Sequence, residues 1–155
     1  MCLAEGAYTP ASVMRIGVIN GANLNALGDR DPDIYGGLSY DELETRIYVW
    51  ARELNVSVRC FQTNHEGQFI DWCHDARMWA DGLVLNPGAW THYSYAIRDA
   101  VELVSVPVVE VHLSDILRRE EWRRVSVIEG VVAHRVLGKG PDGYREALAW
   151  LATRQ

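Results

Sequence analysis

The stretch Val106–His112 reads VPVVEVH, a nearly continuous apolar run interrupted by one glutamate and closed by one histidine. Such a run is typical of a strand that is buried on both faces, as in parallel sheets covered by helices. Shorter apolar runs lie on either side of it along the chain. They predict further strands at Arg15–Asn20, Val56–Phe61, Gly82–Asn86 and Gly130–Leu137.

Helical patterns separate these runs. Ser39 and Glu42 form a capping box ahead of an amphipathic segment that reaches Leu54. Apolar residues at helical spacing predict further helices over 69–80, 93–104, 117–125 and 142–152. Alternation of strands and helices implies parallel strands, right-handed crossovers and helices on both faces. We therefore predict an α/β fold, a doubly wound five-stranded parallel sheet of flavodoxin-like order.

Length and composition limit the classes of protein. The 155 residues correspond to about one domain, which we place at 15–155 after an N-terminal extension at 1–14 that lacks the apolar run of a secretory signal. The net charge of −6 argues against a nucleic-acid partner, and no apolar run approaches the ~20 residues that span a membrane. Three cysteines without a CxxC pair favour a reducing, cytoplasmic compartment.

Polar residues end the strands that should lie at the centre of the sheet. In doubly wound sheets, ligands bind beyond the carboxyl ends of the strands, so Asn20, Asn23, Asn86, Glu110 and His112 are candidate site residues. The last two are two positions apart on one strand and therefore face the same side. A carboxylate beside an imidazole fixes its tautomer and suits it to donate a proton. A buried, salt-bridged histidine with no catalytic role is the alternative.

The segment Gly28–Gly37, which we call the flap, has glycines at both ends and carries Arg30 and Tyr35. A guanidinium close to a phenol favours its phenolate form, which can act as a base. A solvated loop with a packed tyrosine is the alternative. The loop Asn86–His92 can hold a hydroxyl or an anion through its backbone amides, or be an ordinary turn.

Other catalytic motifs are missing or out of context. Gly138–Gly143 fits GxGxxG, but the chain ends twelve residues later and leaves no room for the acidic residue that holds a ribose. We interpret it as a tight turn. The sequence has no P-loop, no HExxH and no GxSxG elbow, so we predict neither a nucleotide cofactor nor a metal.

Taken in order, several motifs resemble the type II 3-dehydroquinate dehydratases. The resemblance covers nearly everything from Arg15 to Leu151. Its motifs are NGANLNALG at Asn20–Gly28, RDPDIYG at Arg30–Gly36, QTNHEG at Gln62–Gly67, NPGAWTH at Asn86–His92, PVVEVHLS at Pro107–Ser114 and REEWR at Arg119–Arg123.

The resemblance implies a cofactor-free lyase that eliminates water from 3-dehydroquinate to give 3-dehydroshikimate, in aromatic amino acid biosynthesis or quinate breakdown. It implies Tyr35 as the base primed by Arg30, and His112 as the acid oriented by Glu110. Further residues would stabilise the enolate or bind the substrate. These are Asn23 and Asn86 for the enolate, Leu113 and Ser114 for the carboxylate, and His92, Arg123 and Asp99 for the ring hydroxyls, with Asp99 supplied by a neighbouring subunit.

The family commonly assembles as a dodecamer of four trimers. The chain departs from the family pattern at Ala22, Leu117, Val125, Glu129-Gly130 and His134-Arg135, which bears on the assembly more than on the chemistry. Two alternatives remain. One is a non-catalytic flavodoxin-like protein that binds a small ligand, a phosphate or a flavin. The other is a Schiff-base dehydratase that uses the single lysine, Lys139.

Overall fold

A computed structural model describes residues 12–155, so most of the predicted N-terminal extension lies outside the described residues. One parallel sheet contains the strands β1 to β5. Their bounds are Arg15–Asn20, Ser57–Gln62, Gly82–Asn86, Val108–His112 and His134–Leu137. The order across the sheet is β2-β1-β3-β4-β5, with all neighbours parallel. This is the flavodoxin-like order, so the predicted fold class is confirmed.

Helices α1 to α5 connect and cover the strands. Their bounds are Pro32–Tyr35, Tyr40–Glu53, Glu66–Ala76, Tyr95–Glu102 and Asp142–Ala152. The predicted capping box is present at the start of α2. The Ser39 amide donates to Glu42 Oε2 at 2.8 Å, and the Glu42 amide donates to Ser39 Oγ at 3.2 Å. Both donors at this helix end are therefore satisfied locally.

Two apolar cores lie on opposite faces of the sheet. On one face, Leu43 of α2 and Leu148 of α5 pack against β1 and β3. On the other, Phe69 of α3 and Ile97 of α4 pack against the same strands. The first core begins with Met14, which is buried and whose carbonyl accepts a hydrogen bond from the Ser57 amide. Because helices cover both faces of the sheet, a ligand can reach the central strands at their ends.

The predicted helix over 117–125 is wrong. Two 3₁₀ turns, Ile116–Arg118 and Glu121–Arg123, occupy this segment, and Arg119 between them has an extended backbone (φ −103°, ψ −166°). That break lets the Arg119 side chain reach Tyr35 on the flap. This contact joins residues 84 positions apart, which helical spacing in the sequence does not encode.

Two strands are shorter than predicted. β4 begins at Val108 instead of Val106, because Pro107 has no N–H to donate to the ladder. β5 begins at His134, since Glu129–Val131 forms a 3₁₀ turn. The predicted tight turn after β5 is present: Gly138 and Gly140 have φ of +73° and +58°. In residues 12–155 no helix is long and apolar enough to cross a membrane.

Candidate active site

A small cavity of about 110 Å³ opens at the carboxyl ends of the central strands. Nine of the twelve residues predicted for the site line it, and Asn20, Glu110 and Asp99 do not. The nine are Asn23, Arg30, Tyr35, Asn86, His92, His112, Leu113, Ser114 and Arg123. Glu110 lies behind His112, against which it is hydrogen-bonded. Asp99 lies on the exposed side of α4 and is not brought to the cavity of its own chain.

The floor of the cavity depends on a close approach of two loops. Gly88 has φ of +64°, and a Cβ atom there would lie 2.6 Å from the carbonyl oxygen of Ala22. Asn23, in the opposing loop, itself has a left-handed backbone (φ 69°), which asparagine tolerates better than most residues. The Asn23 amide donates to Asn64 Oδ1 at 2.8 Å. These contacts fix the loop that ends β1 against the loops that end β2 and β3.

A buried tyrosine links the ends of β1 and β3. Tyr144 of α5 is fully buried; its hydroxyl donates to Asn20 Oδ1 at 2.6 Å and accepts from Asn86 Nδ2 at 2.9 Å. With its Nδ2 held, Asn86 turns Oδ1 toward the Gly88 amide, which donates to it at 3.2 Å. Tyr144 therefore orients the asparagine that lines the cavity.

The flap delivers Tyr35 to the cavity through the short helix α1. Asp31 caps its N-terminus by accepting from the Asp33 amide at 3.0 Å, and Pro32 occupies the first helical position. Gly36 ends the helix with φ of +93°. Because the helix is capped at both ends, Tyr35 is held with its ring buried at the cavity wall.

Two arginines converge on the Tyr35 hydroxyl. Arg30 Nη2 donates to it at 2.5 Å and Arg119 Nη1 donates to it at 2.6 Å. The Arg30 guanidinium also lies over the Tyr35 ring, 3.8 Å from its centroid. Both guanidiniums are charged donors, and hydrogen bonds from charged donors are stronger than those from neutral ones. The predicted pairing of Arg30 with Tyr35 is thus observed, and Arg119 adds a second cation.

The positive charge around Tyr35 affects Arg30 itself. Partial burial lowers the pKa of Arg30, the charge of Tyr35 opposes this effect, and the neighbouring Arg123 and Arg119 lower the pKa further. Crowding three guanidiniums around one cavity is unfavourable unless an anion lies among them. The cavity is therefore suited to an anionic ligand.

Glu110 is fully buried and its carboxylate faces His112, Thr91, Ser126 and Arg135. The distance from Glu110 Oε1 to His112 Nε2 is 2.7 Å. A carboxylate accepts, so Nε2 carries the proton of this bond, and Nδ1 is the ring atom left to exchange a proton with a ligand. The predicted orientation of His112 by Glu110 is present.

The charge of Glu110 is secured by its partners. Burial raises the pKa of Glu110, but the hydrogen bond and charge of His112, the Thr91 hydroxyl and the charge of Arg135 outweigh it and hold the pKa at about 2. Glu110 is therefore ionised at neutral pH, as an acceptor for an imidazolium must be.

His92 completes the wall beside His112, with the two rings 6.4 Å apart and nearly parallel. His92 Nδ1 donates to the Val125 carbonyl at 2.7 Å, because a carbonyl only accepts. Burial lowers the pKa of His92, the bond to Val125 opposes this, and the charges of His112 and Arg123 lower it further. Neutral His92 thus presents Nε2 as an acceptor, which fits a ligand hydroxyl.

Leu113 and Ser114 follow β4 and are held by the turn after β5. The Gly140 amide donates to the Leu113 carbonyl at 3.0 Å, and the Gly138 amide donates to the Ser114 carbonyl at 3.1 Å. Both residues line the cavity. Lys139, on the same turn, points elsewhere and forms an exposed ion pair with Glu146 at 2.7 Å. A Schiff-base role for Lys139 is therefore not supported.

Three residues that contact the predicted site residues were not predicted from the sequence, and each lies far along the chain from its partner. Arg119 stands in the REEWR motif, so the motif signalled its importance but not its contact with Tyr35. Arg135 and Tyr144 carried no motif signal. Among residues 12–155, no group of three His, Cys, Asp or Glu side chains is arranged to hold a metal ion.

Fold and site together define a flavodoxin-like α/β enzyme equipped for acid–base chemistry on a small polar molecule. The sequence pattern of the family described as "Dehydroquinase class II" matches residues 14–152. The chain belongs to this family.

Named relatives agree with this assignment. The 3-dehydroquinate dehydratase of Thermotoga petrophila is 53% identical over 138 residues, which are 89% of this chain and 94% of the relative. The Bacillus subtilis protein of the same name is 46% identical over 89% of this chain and 93% of its own length.

Solved structures agree as well. A type II dehydroquinase from Butyrivibrio crossotus superposes with a TM-score of 0.89 at 47% identity, covering 91% of this chain and 99% of that one. The type II dehydroquinase from Propionibacterium acnes gives a TM-score of 0.87 at 43% identity, covering 92% and 99%.

Proposed function

We propose that this protein catalyses the reversible dehydration of 3-dehydroquinate to 3-dehydroshikimate, with Tyr35 as the base and His112 as the acid. Its family and the names of its relatives support the reaction. One observation supports the roles. A phenol bound by two guanidiniums and an imidazole backed by a buried carboxylate line the same cavity.

The Tyr35 phenolate takes the proton from C2, next to the ketone, and the electrons of the broken C–H bond form the enolate. The enolate then collapses. A double bond forms between C1 and C2, the C1 hydroxyl leaves, and a proton from His112 turns it into water. An enolate forms readily only when donors are already placed to stabilise it. Asn23 and the loop at Asn86 take that role, directly or through a bound water.

Substrate binding uses the remaining walls. The Leu113 amide and the Ser114 hydroxyl bind the carboxylate, which places an anion among the arginines of the cavity. His92 accepts a hydrogen bond from one ring hydroxyl through Nε2, and Arg123 donates to another. These contacts hold the ring so that C2 faces the flap and the C1 hydroxyl faces His112, as an anti elimination requires.

For the assembly, we extend the proposal to a trimer-based homododecamer in which Asp99 reaches a neighbouring subunit's cavity. Asp99 is exposed on α4, and the side chains of Tyr93 and Tyr95 just before it are 59% and 68% exposed. Exposed aromatic residues are enriched at protein interfaces. We place the enzyme in the cytoplasm, which suits the free thiols of Cys60 and Cys73. The pathway is aromatic amino acid biosynthesis or quinate breakdown.

The test is turnover by the purified full chain. The chain should convert 3-dehydroquinate to a product with the absorbance of a conjugated enone, without added nucleotide and in the presence of EDTA. Absence of this product from folded protein would contradict the proposal. A flavin spectrum in the purified sample would instead support the non-catalytic, flavin-binding alternative. That alternative gives no function to the two arginines that contact the Tyr35 hydroxyl.

A further inference from the structure

Arg135 lies directly behind the Glu110–His112 pair, outside the cavity. It is the register partner of Glu110 across the parallel pair β4 and β5, so both side chains project from the same face. Arg135 Nε lies 3.0 Å from Glu110 Oε2. The Arg135 side chain is only 17% exposed, and Glu129 holds its outer end, with Oε1 3.2 Å from Nη1.

The two oxygens of the Glu110 carboxylate have different partners. Oε1 accepts from His112 at 2.7 Å and from the Thr91 hydroxyl at 2.5 Å. Oε2 accepts from Arg135 at 3.0 Å, and the Ser126 hydroxyl lies within 3.0 Å of both oxygens. Arg135 is therefore the charged contact of the far oxygen, which it holds together with Ser126 while Oε1 is directed at His112.

We infer that Arg135 is a positioning residue for the acid: it anchors the Glu110 carboxylate in the orientation that holds His112 and balances its charge from behind. This inference rests on the proposed role of His112 as the proton donor. Arg135 does not line the cavity, so it acts through Glu110 and not on the substrate.

The charges around Glu110 and His112 determine whether loss of Arg135 makes the acid stronger or weaker. Glu110 faces His112 on its own strand and Arg135 on β5, while His92 and Arg123 lie beyond His112. With Arg135 in place, part of the negative charge of the carboxylate is offset, and the carboxylate attracts an imidazolium less strongly. Without it, the full negative charge of Glu110 holds the proton on His112 more tightly. Loss of Arg135 should thus give a misaligned and weaker acid.

The first test compares Arg135→Gln, which keeps a polar side chain without the charge, with Arg135→Lys, which keeps the charge. For Arg135→Gln we expect kcat to fall about tenfold, which is part of the 10²–10⁴-fold contribution of a general acid, with KM changed less than about twofold. The alkaline limb of the kcat profile should move to higher pH, because the uncompensated Glu110 carboxylate attracts a protonated acid more strongly. Arg135→Lys should restore the position of the limb.

The second test asks whether Arg135 acts through Glu110. In a Glu110→Gln background, the further change Arg135→Gln should leave kcat and the pH profile unchanged, because the carboxylate is already gone. Neither Glu110→Gln nor the double variant has the Glu110 carboxylate, so loss of Arg135 leaves no buried charge without a partner. The comparison is therefore informative even if the single variant Arg135→Gln does not fold. The matched control is Arg145→Gln, since Arg145 pairs with Glu53 on the exposed surface at 3.5 Å.

Two results would overturn the inference. One is folded Arg135→Gln protein with the kcat and pH profile of the parent and only a lower melting temperature. The other is a further loss of kcat when Arg135→Gln is added to Glu110→Gln. After either result, the proposed function would still hold if His112→Asn is inactive. Turnover by His112→Asn would instead contradict the acid role itself.

Discussion

The guanidinium of Arg119 donates to the hydroxyl of Tyr35 at 2.6 Å, although the two residues are 84 positions apart in the chain. Arg30, on the flap with Tyr35, donates to the same oxygen at 2.5 Å. The phenol oxygen is thus bound from within the flap and from the loop after β4. The position of the Tyr35 hydroxyl therefore depends on the flap lying against that loop.

Replacing Tyr35 by phenylalanine should remove the base and leave the cavity walls in place. We expect kcat to fall about 10²–10⁴-fold with little change in KM, the loss typical of a general base. Steady-state kinetics on folded protein measures both values. Tyr48→Phe is the matched control, because the Tyr48 hydroxyl accepts a hydrogen bond from the Cys60 amide at 3.3 Å and lies outside the cavity. Substantial turnover by Tyr35→Phe would remove Tyr35 as the base.

Replacing Arg119 by glutamine should weaken the base. One of the two cations that contact the Tyr35 hydroxyl is lost, so kcat should fall about tenfold with a smaller change in KM. The neighbouring substitution Arg118→Gln serves as the control, since the Arg118 side chain is 87% exposed and pairs with Asp115. A parental kcat for folded Arg119→Gln protein in steady-state kinetics would mean that Arg30 alone supports Tyr35.

The low pKa of Glu110 predicts how stability depends on pH. Its pKa of about 2 in the folded chain lies below its ordinary value of 4.5. A depressed pKa stabilises the fold above pH 4.5, and this contribution is lost as pH falls toward 2. The free energy of unfolding, measured with denaturant at each pH, should fall more steeply over this window for the parent than for Glu110→Gln. Parallel curves for the two proteins would contradict the assigned pKa.

Removing the Tyr144 hydroxyl should affect both stability and binding. Tyr144→Phe leaves Asn20 Oδ1 and Asn86 Nδ2 buried without this partner, which should cost about 1–3 kcal/mol in urea unfolding. Asn86 would then be free to rotate away from the Gly88 amide, so KM should rise as well. An unchanged KM would show that the Asn86 loop keeps its conformation without Tyr144.

Much of the fold and site could be predicted because the signals are local. Period-two spacing put Glu110 and His112 on one face of β4, and the strand ends placed Asn20, Asn86 and His112 at one edge. The family motifs supplied the flap residues. These inferences need only residues close together in sequence or a rule about parallel sheets.

The parts that sequence reasoning missed depend on contacts between distant segments. Two 3₁₀ turns replace the predicted helix over 117–125, and the Arg119 side chain between them reaches the flap. Helical spacing in the sequence does not encode that partner. Arg135 was noted only as a departure from the family pattern. Its pairing with Glu110 requires the register of β4 and β5, which the sequence does not state.

The most direct test of the account separates the two proton transfers by following exchange at C2 of 3-dehydroquinate in deuterium oxide. His112→Asn should still incorporate deuterium at C2 faster than the enzyme-free background, because Tyr35 forms the enolate, while producing almost no 3-dehydroshikimate. Tyr35→Phe should do neither. Enzyme-dependent exchange by Tyr35→Phe, or elimination at the parental rate by His112→Asn, would contradict the assignment of base and acid.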